Sequence, residues 1–207
     1  MTTFTGPRGV EGEVEHGVAI GDAARDAGVS YVVYSSVGGA ERRTGIPHFE
    51  SKRRVEEHLQ FLGLRTIFLR PAFFMDNFAG PARPVTENGK IVLRMPLPGD
   101  TPLQMIATTD IGKAAALALI EPDRVPGGAI ELAGDELTGE QIAAAHGDAA
   151  GLPAHYAPLP LDVLADDPDQ QAMFAWFGRP PAYQADLVAS RRLIPGLQDL
   201  RTWLQHR

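Results

Sequence analysis

Cysteine is absent from all 207 residues, which excludes disulfides, thiolate zinc sites and a cysteine nucleophile. Such usage suits a reducing compartment, and a cytoplasmic protein is expected. Basic residues are the scarcer charge, 19 Lys and Arg against 26 Asp and Glu. The formal net charge of −7 argues against a nucleic-acid partner, which would want a basic face. No apolar run approaches the ~18 residues of a membrane span. The N-terminus lacks the basic and apolar regions of a signal peptide. Six histidines are present, but none stands in HExxH or another ligand spacing, so no metal site is expected. What remains is 44% hydrophobic and long enough for one substantial domain, or a domain with a small lobe.

The elements that can be read alternate between helix and strand. Val10 to Ala27 predicts a helix, with Val10, Val14, Val18 and Gly21 on one side and Gly28 as its stop. Tyr31-Val-Val-Tyr-Ser-Ser36, followed by Gly38-Gly39, has the form of a buried parallel strand. Pro47 to Leu62 predicts a second helix ended by Gly63, and Arg65 to Arg70 a strand stopped by Pro71. This is the pattern of a βαβ unit with a right-handed crossover. Phe73 to Phe78 is a short helix or turn, and the proline-rich stretch from Pro81 to Pro102 reads as loop. Leu103 to Ala107 predicts a strand, with Asp110 capping an Ala-rich helix to Ile120. Ala129 to Ala133 is a further strand, and Thr138-Gly-Glu-Gln141 is a capping box for a helix ending near Gly151. The tail is helical in patches, best at Gln170 to Phe177 and Leu197 to Gln205. The fold class is α/β, a doubly wound parallel sheet over residues 1–150, with a smaller, mostly helical segment at 151–207.

Gly6-Pro-Arg-Gly9-Val-Glu-Gly12 spells GxxGxxG ahead of the first helix, the spacing of a phosphate-binding turn. A working turn follows a buried strand, and Met1 to Thr5 is too short and too polar to supply one. Pro7 removes a backbone donor. Glu11, Glu13 and Glu15 crowd the helix start, where they would repel a diphosphate. The triplet reads as an ordinary loop running into a helix.

The second helix carries more chemistry. Phe49, Val55, Leu59 and Leu62 form its apolar stripe, and Lys52 lies within it with His48 one turn earlier. Two placements of Lys52 are open: a stem along the helix with its head in water, or an ammonium turned into a polar crevice. Ser35 and Ser36 close the preceding strand at its carboxyl end, where ligands bind in open α/β sheets. Glu56, Glu57 and His58 are expected to form a solvated face. Phe174, Trp176 and Phe177, at helical spacing, read as core rather than pocket.

The stretches YVVYSSVGGAERRTGIPHFESKRRVEEHL and LRTIFLRPAFFMDNF resemble the NmrA-like branch of the atypical short-chain dehydrogenases/reductases. QMIATTDIG and ELAGD fit its later segments. The resemblance covers most of residues 9–150 and implies a Rossmann-like fold that binds NADP(H) or NAD(H). It also implies either an NAD(P)H-dependent reductase of a small carbonyl or quinone-like substrate, or a non-catalytic sensor of coenzyme redox state. Carried across, Lys52 matches the lysine of the YxxxK pair, which touches the nicotinamide ribose. Ser35 and Ser36 match the strand end near the nicotinamide. Pro71, Phe73 and Phe74 match the turn that flanks nicotinamide and substrate, with Phe74 on the substrate side; Asn77 belongs to the same signature without a defined role. Lys52 and His48 are the catalytic candidates.

Two departures from the family stand out. His48 replaces the tyrosine of YxxxK, so a tyrosine proton donor is absent and an imidazole acid is the alternative. The family's glycine-rich turn would lie upstream of Met1, so the first strands of the sheet are expected to be missing. A truncated, coenzyme-free remnant is therefore a third reading. The 207 residues are expected to hold NADPH weakly or not at all, and to expose a sheet edge through which copies could associate.

Overall fold

The computed structural model describes residues 6–206; Met1 to Thr5, read above as too short and polar for a strand, lie outside them. Helix α1 (Gly9–Asp26) leads through Val29 to β1 (Val32–Ser35), then to α2 (Pro47–Phe61) and β2 (Thr66–Pro71). β1 and β2 pair in parallel, Val32 opposite Thr66 through Ser35 opposite Leu69. The anticipated βαβ unit is present.

Pleating divides these strands cleanly. Tyr34 and Phe68 face α2 with Val55 and Leu59. Val33, Ile67, Leu69 and Ile130 face Ala114 and Ala118 on α3 (Thr108–Ile120). The third parallel strand, β7 (Ala129–Leu132), lies on the far side of β2, so β1 is an edge of this sheet among the described residues. Helices on both faces make it doubly wound.

α1 packs on α2 through glycine. A Cβ at Gly17 would sit 2.5 Å from Val55 Cγ2, and one at Gly21 2.9 Å from Leu59 Cδ2. Glu13, Gly17 and Gly21 recur every four residues on that face of α1, so helix axes and side chains approach there together.

Two further sheets complete the layer. β3 (Phe73–Phe74), β6 (Pro102–Ile106) and β8 (Asp135–Thr138) form one. β4 (Val85–Glu87), β5 (Lys90–Met95) and β9 (Ala154–Pro158) form the other. The stretch read as loop therefore contains a hairpin. Its turn is Asn88-Gly89, both at positive φ (49° and 74°), which matches the twist of two antiparallel strands. The prolines hid it: they lie outside the hairpin, and Ile91, Val92, Leu93 and Met95 between them are buried.

Asp110 is a second correction. α3 starts earlier than expected, at Thr108, so Asp110 lies inside its first turn. There it is buried, pairs with Lys113 at 2.6 Å and accepts from the Gln198 amide at 2.9 Å. The free Thr108 amide is met instead by Asp76 at 2.8 Å. The capping box of α4 (Gly139–Ala150) forms as read, with Thr138 and Gln141 exchanging bonds. The tail adds α5 (Pro168–Phe177), α6 (Leu187–Leu193) and α7 (Leu200–Gln205). One core takes in Phe49, Phe73 and Met105 together with Tyr156, Phe177, Tyr183 and Trp203, so side chains on both sides of residue 150 share it.

Two outcomes follow. Gly17→Val forces a side chain into Val55 and is expected to cost about 1–3 kcal/mol, read as a lower thermal midpoint. Burial lowers the pKa of His146 to about 4 from 6.5. The unfolded chain then takes up this proton before the folded chain does, so the stability contributed is complete above pH 6.5 and lost as pH falls towards 4. Allowing for partial solvent access, the loss is at most about 2 kcal/mol. Denaturant midpoints at pH 7 and 4.5 measure it, and His146→Leu should flatten that part of the slope.

Candidate functional site

The candidate residues collect at the carboxyl end of β1 and β2. There the Ser36 amide bonds the Leu69 carbonyl at 2.7 Å and the Gly38 amide bonds Pro71 at 2.9 Å, tying the turn after β1 to the end of β2. Gly38 has no room for a side chain: a Cβ would lie 2.6 Å from the Tyr183 ring and 2.7 Å from Glu131 Oε1. A cleft of about 440 Å³ runs along β1, walled by α1 and α2, with Ser35, Lys52 and Phe74 among its lining residues. Its volume is within the range of small-ligand sites.

The structure resolves the placement of Lys52. Its side chain is 16% exposed, and its ammonium lies 2.8 Å from Glu13 Oε1, an ion pair with a fully buried carboxylate. The other oxygen, Oε2, accepts from Ser51 Oγ at 2.5 Å. The Lys52 head also stands 5.6 Å from the centroid of the Tyr34 ring on β1. A lysine donates three hydrogen bonds, and the one described carboxylate partner leaves donors for a ligand. Ser36 is buried, and its hydroxyl has no hydrogen-bond partner among the described residues. Lys52 thus offers donors at the cleft wall, and Ser36 this unpaired hydroxyl, buried just past the end of β1.

The remaining candidates separate. His48 lies one turn before Lys52 on α2, is buried against Phe49, and its Nδ1 meets Asp169 Oδ1 from α5. Pro71 is buried. The Phe73 ring packs on Phe78 and Phe177 in the core, so its backbone rather than its ring faces the turn. Phe74 is 40% exposed and lines the cleft. Phe177 is core as read, while Trp176 is only partly buried and stacks edge-on against Phe49 and Tyr183.

Glu56 overturns the expected solvated face. It is buried and receives Arg70 through two bonds, at 3.0 and 2.6 Å. Arg70 also meets Glu41 at 3.0 Å, Glu41 meets Arg42 at 2.7 Å, and Arg42 forks onto Glu131 with two bonds of 2.9 Å. Burial works against the charges on Arg42 and Arg70, but the bonds from Glu131 and Glu56 outweigh it, so both pKa values are raised. Glu131 also accepts from the Gln184 amide at 3.1 Å, and Arg42 donates to the Ala182 carbonyl at 3.1 Å. This alternating row ties the turn after β1 to residues 182–184 of the tail. Buried between its members, the Tyr183 phenol is held neutral, its pKa raised by burial and by Glu131.

The glycine triplet holds no comparable site. Arg8 covers Gly12, where a Cβ would lie 2.8 Å from its own, and pairs with Glu15. Glu11 in the first turn is bound by Arg54 at 2.7 Å. Glu13, expected only to crowd the helix start with Glu11 and Glu15, is instead the buried partner of Lys52, and Asp169 and the Arg42–Glu131 pair escape the sequence reading. Only Glu13 left a usable signal there, its four-residue spacing from Gly17 and Gly21. Among the described residues, no helix is long and apolar enough to cross a membrane, and no cluster suits a metal ion.

Comparison with known proteins agrees with this architecture. NAD(P)H azoreductase of Xenophilus azovorans is 30% identical over 154 residues, which is 74% of this chain. Those residues amount to 52% of the azoreductase, so the chain spans about half its length. NmrA, a negative transcriptional regulator solved in complex with NAD, superposes with a TM-score of 0.76 at 22% identity, covering 93% of this chain and 69% of its own. Citrobacter sp. triphenylmethane reductase complexed with NADP(H) gives 0.76 at 22% identity, covering 98% and 74%. At that identity the two structures show a shared fold alone. The NmrA-like family model matches residues 1–195, and the chain belongs to the NmrA-like family.

Proposed function

We propose that these residues form the nicotinamide side of an NAD(P)H site, in an NAD(P)H-dependent reductase of a small carbonyl or quinone-like substrate. The observation that carries this reading is the Lys52 ammonium, held by Glu13 above the end of β1 beside a cleft. In this reading Lys52 binds the nicotinamide ribose, and Ser35 and Ser36 meet the ring's carboxamide end. The turn of Pro71 and Phe73 backs the ring, and Phe74 offers its exposed face to the substrate. A reduced nicotinamide, if held by these residues, would supply the hydride. His48, oriented by Asp169, supplies the proton to the substrate oxygen. Residues 151–207 form the substrate side. Azoreductase and triphenylmethane reductase among the relatives support a reductase.

A second reading has its own support. His48 is buried and engaged with Asp169, and NmrA is a regulator solved with NAD, so a sensor that binds coenzyme without turnover is the alternative. Hydride transfer separates the two.

No phosphate seat is found at the glycine triplet, so the adenine half of the coenzyme contributes little in these residues. Titrated into the 207-residue chain, reduced nicotinamide mononucleotide and NADPH are expected to bind within about threefold of one another, both weaker than about 0.1 mM. Micromolar affinity for NADPH would contradict this. In a reductase assay with a benzoquinone, His48→Ala is expected to lower turnover by about 10²-fold or more. Unchanged turnover would remove His48 from the chemistry.

A further inference from the structure

We infer that Glu13 is a positioning residue, which acts on the coenzyme only through Lys52. The inference rests on the reading that Lys52 meets the nicotinamide ribose. Glu13 is fully buried; its Oε1 stands 2.8 Å from the Lys52 ammonium as an ion pair without hydrogen-bond alignment, and its Oε2 accepts from Ser51 at 2.5 Å. A side chain that can rotate freely makes a poor ligand-binding charge, because ordering it on binding costs entropy. Here the carboxylate is fixed by Ser51 from the same helix as Lys52, so the ammonium is ordered before any ligand arrives.

A purely structural staple between α1 and α2 would not need this chemistry. The two helices already meet through Gly17 on Val55 and Gly21 on Leu59, an exposed pair joins Arg54 to Glu11, and a half-buried one joins His58 to Asp22. Burying an ion pair gains little over apolar packing of the same volume. What the pair does provide is a cation at a fixed point on the wall of a cleft that Ser35 and Phe74 also line. The four-residue step from Glu13 to Gly17 sets the reach: Gly17 lets α2 close in, and Glu13 then meets Lys52 one turn away.

The test is a double-mutant cycle on the 207-residue chain with reduced nicotinamide mononucleotide as probe. Glu13→Gln and Lys52→Met are each expected to weaken binding about tenfold, and the double variant no more than Lys52→Met alone. Thermal midpoints run in parallel separate loss of fold from loss of binding. Glu13→Gln binding as well as wild type while Lys52→Met loses affinity would overturn the positioning role alone. Losses that multiply to about a hundredfold would also overturn it, since the two residues would then act independently. Wild type and Lys52→Met binding alike would overturn the coenzyme reading and this inference with it. Should the Gln variant fail to fold, Glu13→Asp keeps the charge but withdraws it by one methylene, with an expected loss of about threefold; no loss would again overturn the role.

Discussion

The arrangement of the sheet's carboxyl end depends on the ion pair that Glu13 and Lys52 make between α1 and α2. Removing one partner of such a pair leaves a buried charge unmatched, at a cost of about 3–5 kcal/mol. That is several times what any exposed pair on these helices contributes. Gly17 and Gly21 set how closely α1 approaches α2, and the pair then fixes the direction of an ammonium that α2 alone would leave to solvent. A sheet edge, two helices and a cation become one rigid wall.

A second set of charges gathers at the carboxyl end of β2, around Arg70. The row from Glu56 through Arg70, Glu41 and Arg42 to Glu131 alternates in sign, and each arginine is shared between two carboxylates. Sharing matters because a partly buried guanidinium needs several acceptors to offset its lost hydration. The row also reaches the tail, through Ala182 and Gln184, and the His48–Asp169 contact reaches α5. The segment after residue 150 is thus pinned to the carboxyl end of the sheet by these polar contacts as well as through the shared aromatic core.

Much of this was legible from residue order because local signals and tertiary structure agreed. The strand at Tyr31 to Ser36, the helix from Pro47 and the strand after it follow from apolar runs and their stops, and the capping box at Thr138 is a purely local device. The place of Lys52 in an apolar stripe agrees with the burial of its side chain, which is 16% exposed. The failures share a cause. Glu56 was assigned to solvent because charge predicts exposure, yet its partner Arg70 sits 14 residues later on a neighbouring strand. Asp169 lies 121 residues from His48, and no periodicity joins them. β4 and β5 were lost to the prolines around them, although Asn88-Gly89 is a strong hairpin signal that should have outweighed composition. Long-range polar pairing is what a single sequence conceals, and the site is made of it.

The most direct measurement is a crystal structure of the chain grown with reduced nicotinamide mononucleotide. A ribose hydroxyl is expected within about 3.2 Å of Lys52 Nζ, with Glu13 still bound behind it and the ring between Ser36 and Phe74. A ligand seated elsewhere, or a Lys52 that leaves Glu13 for open solvent, would contradict it.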